Sequence, residues 1–197
     1  MNAISYDKKM QNICESFNGK KPALLLHACC APCSSACLER LKDYFDITLY
    51  FYNPNIEDEE YEKRKRELIR FVEETGWAKI SECPHNVSEF YDRISGLENC
   101  REGGERCTEC FRLRLGATAA AAKAGNYDYF CTTITLSPLK DAGRINAIGA
   151  ALEKETGVKW LYSDFKKRNG YLRSLELSKK HDLYRQSYCG CVFSKSE

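Results

Sequence analysis

The stretch Lys21-Pro22-Ala23-Leu24-Leu25-Leu26-His27-Ala28-Cys29-Cys30-Ala31-Pro32-Cys33-Ser34-Ser35 decides how the chain is read. Residues 23–28 are apolar without alternation, the pattern of a strand covered on both faces. Three thiols follow at once. Pro32 then suits the first turn of a helix, with Ser34 and Ser35 beside it, so a helix is expected from there to about residue 44. Cysteines between a strand and a helix stand at the strand's carboxyl end, which is where open α/β sheets place their sites.

Outward from this stretch the chain keeps alternating. Residues 45–52 (Phe-Asp-Ile-Thr-Leu-Tyr-Phe-Tyr) read as a strand stopped by Asn53-Pro54-Asn55. Residues 57–75 read as a helix with acidic first turns, basic later turns, an apolar stripe of Tyr61, Leu68 and Val72, and Gly76 as its stop. A short third strand is expected at 77–80 and a brief helix around 88–95. Helices at 107–124, 141–156 and 172–180 alternate with strands at 127–134 and 158–162. Residues 1–20 form a polar helical lead-in. The expectation is one α/β domain over residues 1–197, with a mostly parallel sheet flanked by helices.

Bulk properties narrow the class. With 43% hydrophobic and 29% charged residues, the 197-residue chain is of ordinary globular composition. No apolar core of a secretory signal is visible, and the longest apolar run is far too short to span a bilayer, so the expected setting is cytoplasmic, with no membrane partner. Net charge is only +2, yet residues 159–197 hold nine Lys/Arg against four Asp/Glu. That basic C-terminal segment fits either a phosphate-binding face or a solvated surface.

Twelve cysteines are the outlying feature. In a reducing compartment, clustered cysteines point to metal binding or redox catalysis. Three groups stand out: Cys29-Cys30 with Cys33, Cys107 with Cys110, and Cys189 with Cys191. Groups far apart in sequence that the fold brings together make a four-thiolate zinc or iron–sulfur site. Neighbours such as Cys29 and Cys30 are expected to point apart, which suits a cubane or two metals better than one zinc. Cys189 and Cys191 fit either a strained, oxidising disulfide or a second metal. Cys14, Cys37, Cys83, Cys100 and Cys131 read as small hydrophobic residues. His27 is equally a core histidine, a ligand or a proton donor. Lys166, Lys167, Arg168, Tyr184 and Arg185 mix basic and aromatic groups as a nucleic-acid face would.

Several motifs together are more specific than any one of these pairs. His27-Ala28-Cys29-Cys30-Ala31-Pro32-Cys33, Tyr52-Asn53-Pro54-Asn55, Glu102-Gly103-Gly104-Glu105-Arg106-Cys107 through Cys110, Thr132-Thr133 with Ser137-Pro138, Asp164-Phe165-Lys166-Lys167, Gly170-Tyr171 and Tyr184-Arg185-Gln186-Ser187-Tyr188-Cys189-Gly190-Cys191 resemble the QueH family of epoxyqueuosine reductases. The resemblance runs nearly the whole chain. It implies a Rossmann-like domain of HUP type, with cysteines where related tRNA thiolases carry a glycine-rich ATP loop, and hence no ATP chemistry. It implies reduction of the epoxide of epoxyqueuosine, at the wobble position of tRNA, to an alkene. The cofactors implied are a 4Fe-4S cluster and a nearby second metal ion, iron or zinc, without cobalamin, and an electron donor is implied as a further partner.

On that footing, Cys29, Cys30, Cys107 and Cys110 are the expected cubane ligands. Cys33, Cys189 or Cys191 would bind the second metal, or the last two would cycle as dithiol and disulfide. Asp164, His27 and Tyr188 are the candidate proton donors. The alternative from another class is a zinc-stabilised RNA-binding module without catalysis of its own.

Overall fold

The apolar runs and amphipathic segments resolve into alternating strands and helices in a computed structural model, which describes residues 5–195. In chain order these are α1 (Tyr6–Glu15), β1 (Ala23–His27), α2 (Ala31–Leu41), β2 (Asp46–Tyr50), α3 (Asp58–Thr75), β3 (Lys79–Ser81), α4 (Ser88–Arg93), α5 (Glu105–Ala124), β4 (Tyr129–Thr132), α6 (Ala142–Thr156), β5 (Lys159–Trp160) and α7 (Gly170–Lys180). Short 3-10 turns occupy Thr133–Leu136 and Val192–Ser194. The sheet is all parallel, in the order β3-β2-β1-β4-β5. The α/β expectation is met in the form of a Rossmann-like sheet flanked by helices.

β1 is central because both its faces are apolar. Leu24 and Leu26 pack with residues of α1, α2, α3 and α7, whereas Leu25 turns to the other face and meets α5 and α6. From β1 the chain builds outward to β2 and β3, then crosses back to β4 and β5. The reversal leaves a crevice beyond the carboxyl ends of β1 and β4, the usual site in such sheets. Residues 29–33 and Thr132-Thr133 border it.

Several boundaries differ from expectation for local reasons. The strand expected to run to residue 134 ends at Thr132, whose Oγ1 accepts the Ile134 N–H at 3.2 Å and starts the 3-10 turn. β5 is only two residues long, because Leu161 makes its last strand-like bond, to Phe130 O at 3.0 Å, before the chain turns away. The polar lead-in holds α1, capped by Ser5 and docked through Met10 and Cys14; its residues 1–4, like 196–197, lie outside the described residues. Among the described residues, no helix is long and apolar enough to cross a membrane.

Candidate active site

Cys30 is the N-cap of α2, in extended conformation at φ −174° and ψ 163°. Its sulfur accepts the Cys33 N–H at 3.4 Å, as a serine oxygen would in the same place. This turns the Cys30 side chain back over the first helical turn. The expected divergence of the adjacent thiols is thereby undone: Cys29 Sγ lies 3.8 Å from Cys30 Sγ, and the sulfurs of Cys29, Cys30 and Cys33 are all within 4.8 Å of one another. Thr133, across the crevice, brings its hydroxyl to 3.6 Å from Cys29 Sγ, and Gln186 donates its amide N–H to Cys30 Sγ at 2.9 Å. Hydrogen bonds from the Cys30 and Cys33 thiols hold the Cys29 thiol well below its ordinary range. Burial pushes Cys30 up to about 12, and the neighbouring Cys29 and Cys30 sulfurs push Cys33 up as well.

The second and third cysteine groups meet each other. Cys107 and Cys110 sit in the first turns of α5, where Gly103 N–H donates to Cys107 Sγ at 3.2 Å. With Cys189 and Cys191 they line one small cavity, walled also by Asn55, Phe90, Arg114 and Lys140. Of the four cysteines expected around a cubane, Cys29 and Cys30 belong to the close triad with Cys33, while Cys107 and Cys110 line the small cavity with Cys189 and Cys191. Burial drives Cys110 to about 11 and raises Cys189. All twelve cysteines, Cys189 and Cys191 included, are free thiols.

The segment carrying Cys189 is fastened from below. Arg64, buried in α3 and paired with Glu60 at 2.6 Å, donates to Cys189 O at 3.1 Å and Tyr188 O at 3.4 Å. Gly190 has φ +126°, and a Cβ there would lie 2.8 Å from the Ile56 side chain. Only glycine fits between the two thiols on both counts.

Cys29, Cys33 and Cys189 open onto a larger cavity of about 380 Å³. Phe111, Ile134, Leu136 and Leu139 give it an apolar wall; Glu102, Lys140, Arg185, Gln186 and Tyr188 give it a polar one. The Lys140 side chain is only 9% exposed, and its ammonium sits 2.8 Å from the half-exposed Glu102 carboxylate. Burial alone would lower the Lys140 pKa, but Cys189 and Glu102 outweigh it and raise it.

Of the residues singled out in the sequence, Tyr188, Arg185, Cys33 and Cys189 line this cavity. His27 does not reach it. Fully buried, it has Nδ1 2.9 Å from Thr132 Oγ1 and Nε2 3.0 Å from Tyr52 O, with Arg114 Nε 3.3 Å away. Burial, with the Arg114 charge, brings its pKa down to about 3. It is a neutral core histidine. Asp164 lies past β5, outside the cavity wall, in a 2.7 Å ion pair with Lys166 whose angle is poor for a hydrogen bond.

Of the expected nucleic-acid face, only Arg185 lines the cavity. Lys167 is exposed, Arg168 pairs with Asp7 at 2.8 Å, and Tyr184 bonds Glu60 at 3.2 Å under the Lys63 ammonium. Sequence reasoning passed over Lys140, Gln186 and Arg114. Arg114 alone left a signal, lying four residues after Cys110 on the buried face of α5.

Seven thiols without a carboxylate among them are a soft donor set, suited to zinc or iron–sulfur rather than to magnesium or calcium. The family described as "Epoxyqueuosine reductase QueH" matches this chain over residues 24–197. The chain is 42% identical to the epoxyqueuosine reductase QueH of Streptococcus pyogenes serotype M1, over 97% of this chain and 78% of that protein. It is 44% identical to the one named alike from Staphylococcus epidermidis (97% and 84%) and 34% identical to that of Thermotoga maritima (88% and 91%).

Proposed function

The chain belongs to the QueH family of epoxyqueuosine reductases, and we propose that it reduces the epoxide of epoxyqueuosine at the tRNA wobble position to the alkene of queuosine. The observation that carries this reading is the meeting of two thiol groups at one half-open cavity of about 380 Å³. The overall change consumes two electrons and two protons, breaks both epoxide C–O bonds and releases the oxygen as water.

The donor geometry supports a division of labour. Thiolates bound at about 2.3 Å to one tetrahedral metal lie about 3.8 Å apart. The Cys29–Cys30 spacing of 3.8 Å matches that, so Cys29, Cys30 and Cys33 suit a single metal, iron or zinc. Cys107, Cys110, Cys189 and Cys191 then suit the four corners of a 4Fe-4S cluster. When bound, the first would polarise the epoxide oxygen and the second would supply electrons singly, from an external donor and without cobalamin.

The chain's own residues do the rest. Lys140 presents an ammonium at the wall where the oxygen is freed, and Glu102 links it to solvent for reprotonation. Tyr188 adds a hydroxyl on the same wall, while Phe111, Ile134 and Leu136 keep water from the reacting ring. Arg185, exposed at the mouth, meets backbone phosphate.

Anaerobically purified protein, given tRNA bearing epoxyqueuosine and a one-electron reductant, should yield a nucleoside lighter by one oxygen in mass spectrometry of the digest. Tight tRNA binding by a zinc-only preparation, with the epoxide untouched, would instead identify an RNA-binding module.

A further inference from the structure

Three arginines are buried in the described part of the molecule, and two have conventional partners. Arg64, 1% exposed, faces the Glu60 carboxylate; Arg106, 4% exposed, donates to the carbonyls of Glu98 and Cys100. Arg114, 2% exposed, bonds neither a carboxylate nor a backbone carbonyl. Its guanidinium is spread over the His27 ring at 3.3 Å, Asn53 Oδ1 at 2.6 Å and Cys110 Sγ at 3.9 Å. None of these partners carries a charge that offsets the guanidinium, and an uncompensated buried cation is among the most costly groups a fold can carry.

Its position supplies the missing anion. Arg114 lies in the wall of both cavities, the one onto which Cys29 and Cys33 open and the one lined by Cys107, Cys110, Cys189 and Cys191. His27 and Asn53, which hold it, flank the cysteine loop: Asn53 Nδ2 donates to Ala28 O at 2.8 Å, and His27 ends β1. The guanidinium is therefore held in a wall shared by the two cavities, by residues that line neither of them.

We propose that Arg114 is the counter-ion of the assembled metal–thiolate centre, a positioning residue that offsets its net negative charge and raises its reduction potential. The proposal rests on the reading that these thiolates hold a redox-active metal centre. A fixed positive charge stabilises the reduced form, which carries one more negative charge, over the oxidised form.

The test uses the anaerobically loaded protein, with metal content and midpoint potential as readouts. Arg114→Gln should lower the potential enough to cut the reduced-to-oxidised ratio at least tenfold, about 59 mV for one electron. Arg114→Lys, keeping the charge, should stay within half of that shift. Asn53→Asp keeps the guanidinium but faces it with a carboxylate, and should move the potential in the same direction as Arg114→Gln. An unmoved potential in metal-replete Arg114→Gln overturns the proposal, and so does a Lys variant displaced as far as the Gln one. If Arg114→Gln fails to fold, the Asn53→Asp potential decides alone. Wild-type protein that takes up no redox-active metal would sink the functional reading itself, which is a separate result.

Discussion

Cys30 and Cys131 are both shut away from solvent, yet they have opposite surroundings. Cys131 donates its thiol to Leu161 O at 3.2 Å within the apolar core, whereas Cys30 is met by other sulfurs and the Gln186 amide. Cys131→Ser should therefore keep full metal content and cost about 1 kcal/mol of stability, while Cys30→Ser should lose metal, as plasma emission analysis would register. Lys140 makes a different kind of demand. Replacing it with Gln removes the only ammonium that the described residues bring to the wall of the cavity at Cys29 and Cys189; turnover should fall about 100-fold with tRNA affinity nearly unchanged in a filter-binding assay. The cysteines were legible from spacing alone, because thiols in clusters have few other uses. Arg64, in contrast, was passed over. It lies three residues after Tyr61 and four before Leu68, on the same stripe, though the surrounding charges make it look solvated. Lys140 and Gln186 carry no such periodicity, since turns of the chain place them and not a helix face.

At the scale of elements, α7 matters most, because it packs along α2 and lends Tyr171 and Ser174 to the cavity wall. Arg173 ties the two helices with a fork onto both Glu39 carboxylate oxygens, each bond 2.8 Å long. That hydrogen bonding holds the Glu39 carboxyl below its usual 4.5. As the folded pKa is the lower one, the unfolded chain binds more protons as pH falls. The stabilisation is thus complete above the unfolded value and is lost as pH drops through the folded one. With Arg173 at 45% and Glu39 at 29% exposure, solvent limits it to about 0.5 kcal/mol. Glu39→Gln should cost that much near pH 7 and progressively less as pH falls below the usual carboxylate range in denaturant titrations; a cost that does not change with pH would point to packing instead of charge. The helices were readable because their periodicity and stop signals are local, as Gly76 and Gly157 show by closing α3 and α6 in left-handed conformation. Strand ends were not. Where β4 gives way to the turn at Thr133–Leu136 depends on one threonine hydroxyl, a choice that no β-propensity encodes.

Over the whole molecule, the alternation of strands and helices announces a parallel sheet, but it does not fix the order β3-β2-β1-β4-β5. That order comes from which strand is apolar on both faces, and it decides that the loops after β1 and β4 share one crevice. The thiols reach the crevice from three places in the chain: residues 29–33 after β1, 107–110 at the start of α5, and 189–191 near the end. A metal centre joining them closes long loops that the unfolded chain would leave open, so loading should stabilise the entire fold. With metal about 100-fold above its dissociation constant, the gain is about 2.7 kcal/mol. The effect should not be uniform. Beyond α7, only a short 3-10 turn interrupts irregular chain, which is fastened by Arg64, by the Gln186 contact to Cys30 and by the close fit of Gly190 against Ile56. Chelation should therefore expose residues 184–195 first, seen as early loss of amide protection there while β1 and β4 stay closed. Protection lost evenly across sheet and segment would mean that the metal supports the fold as a whole, and that the contacts of Arg64, Gln186 and Gly190 suffice to hold the last thiols in place.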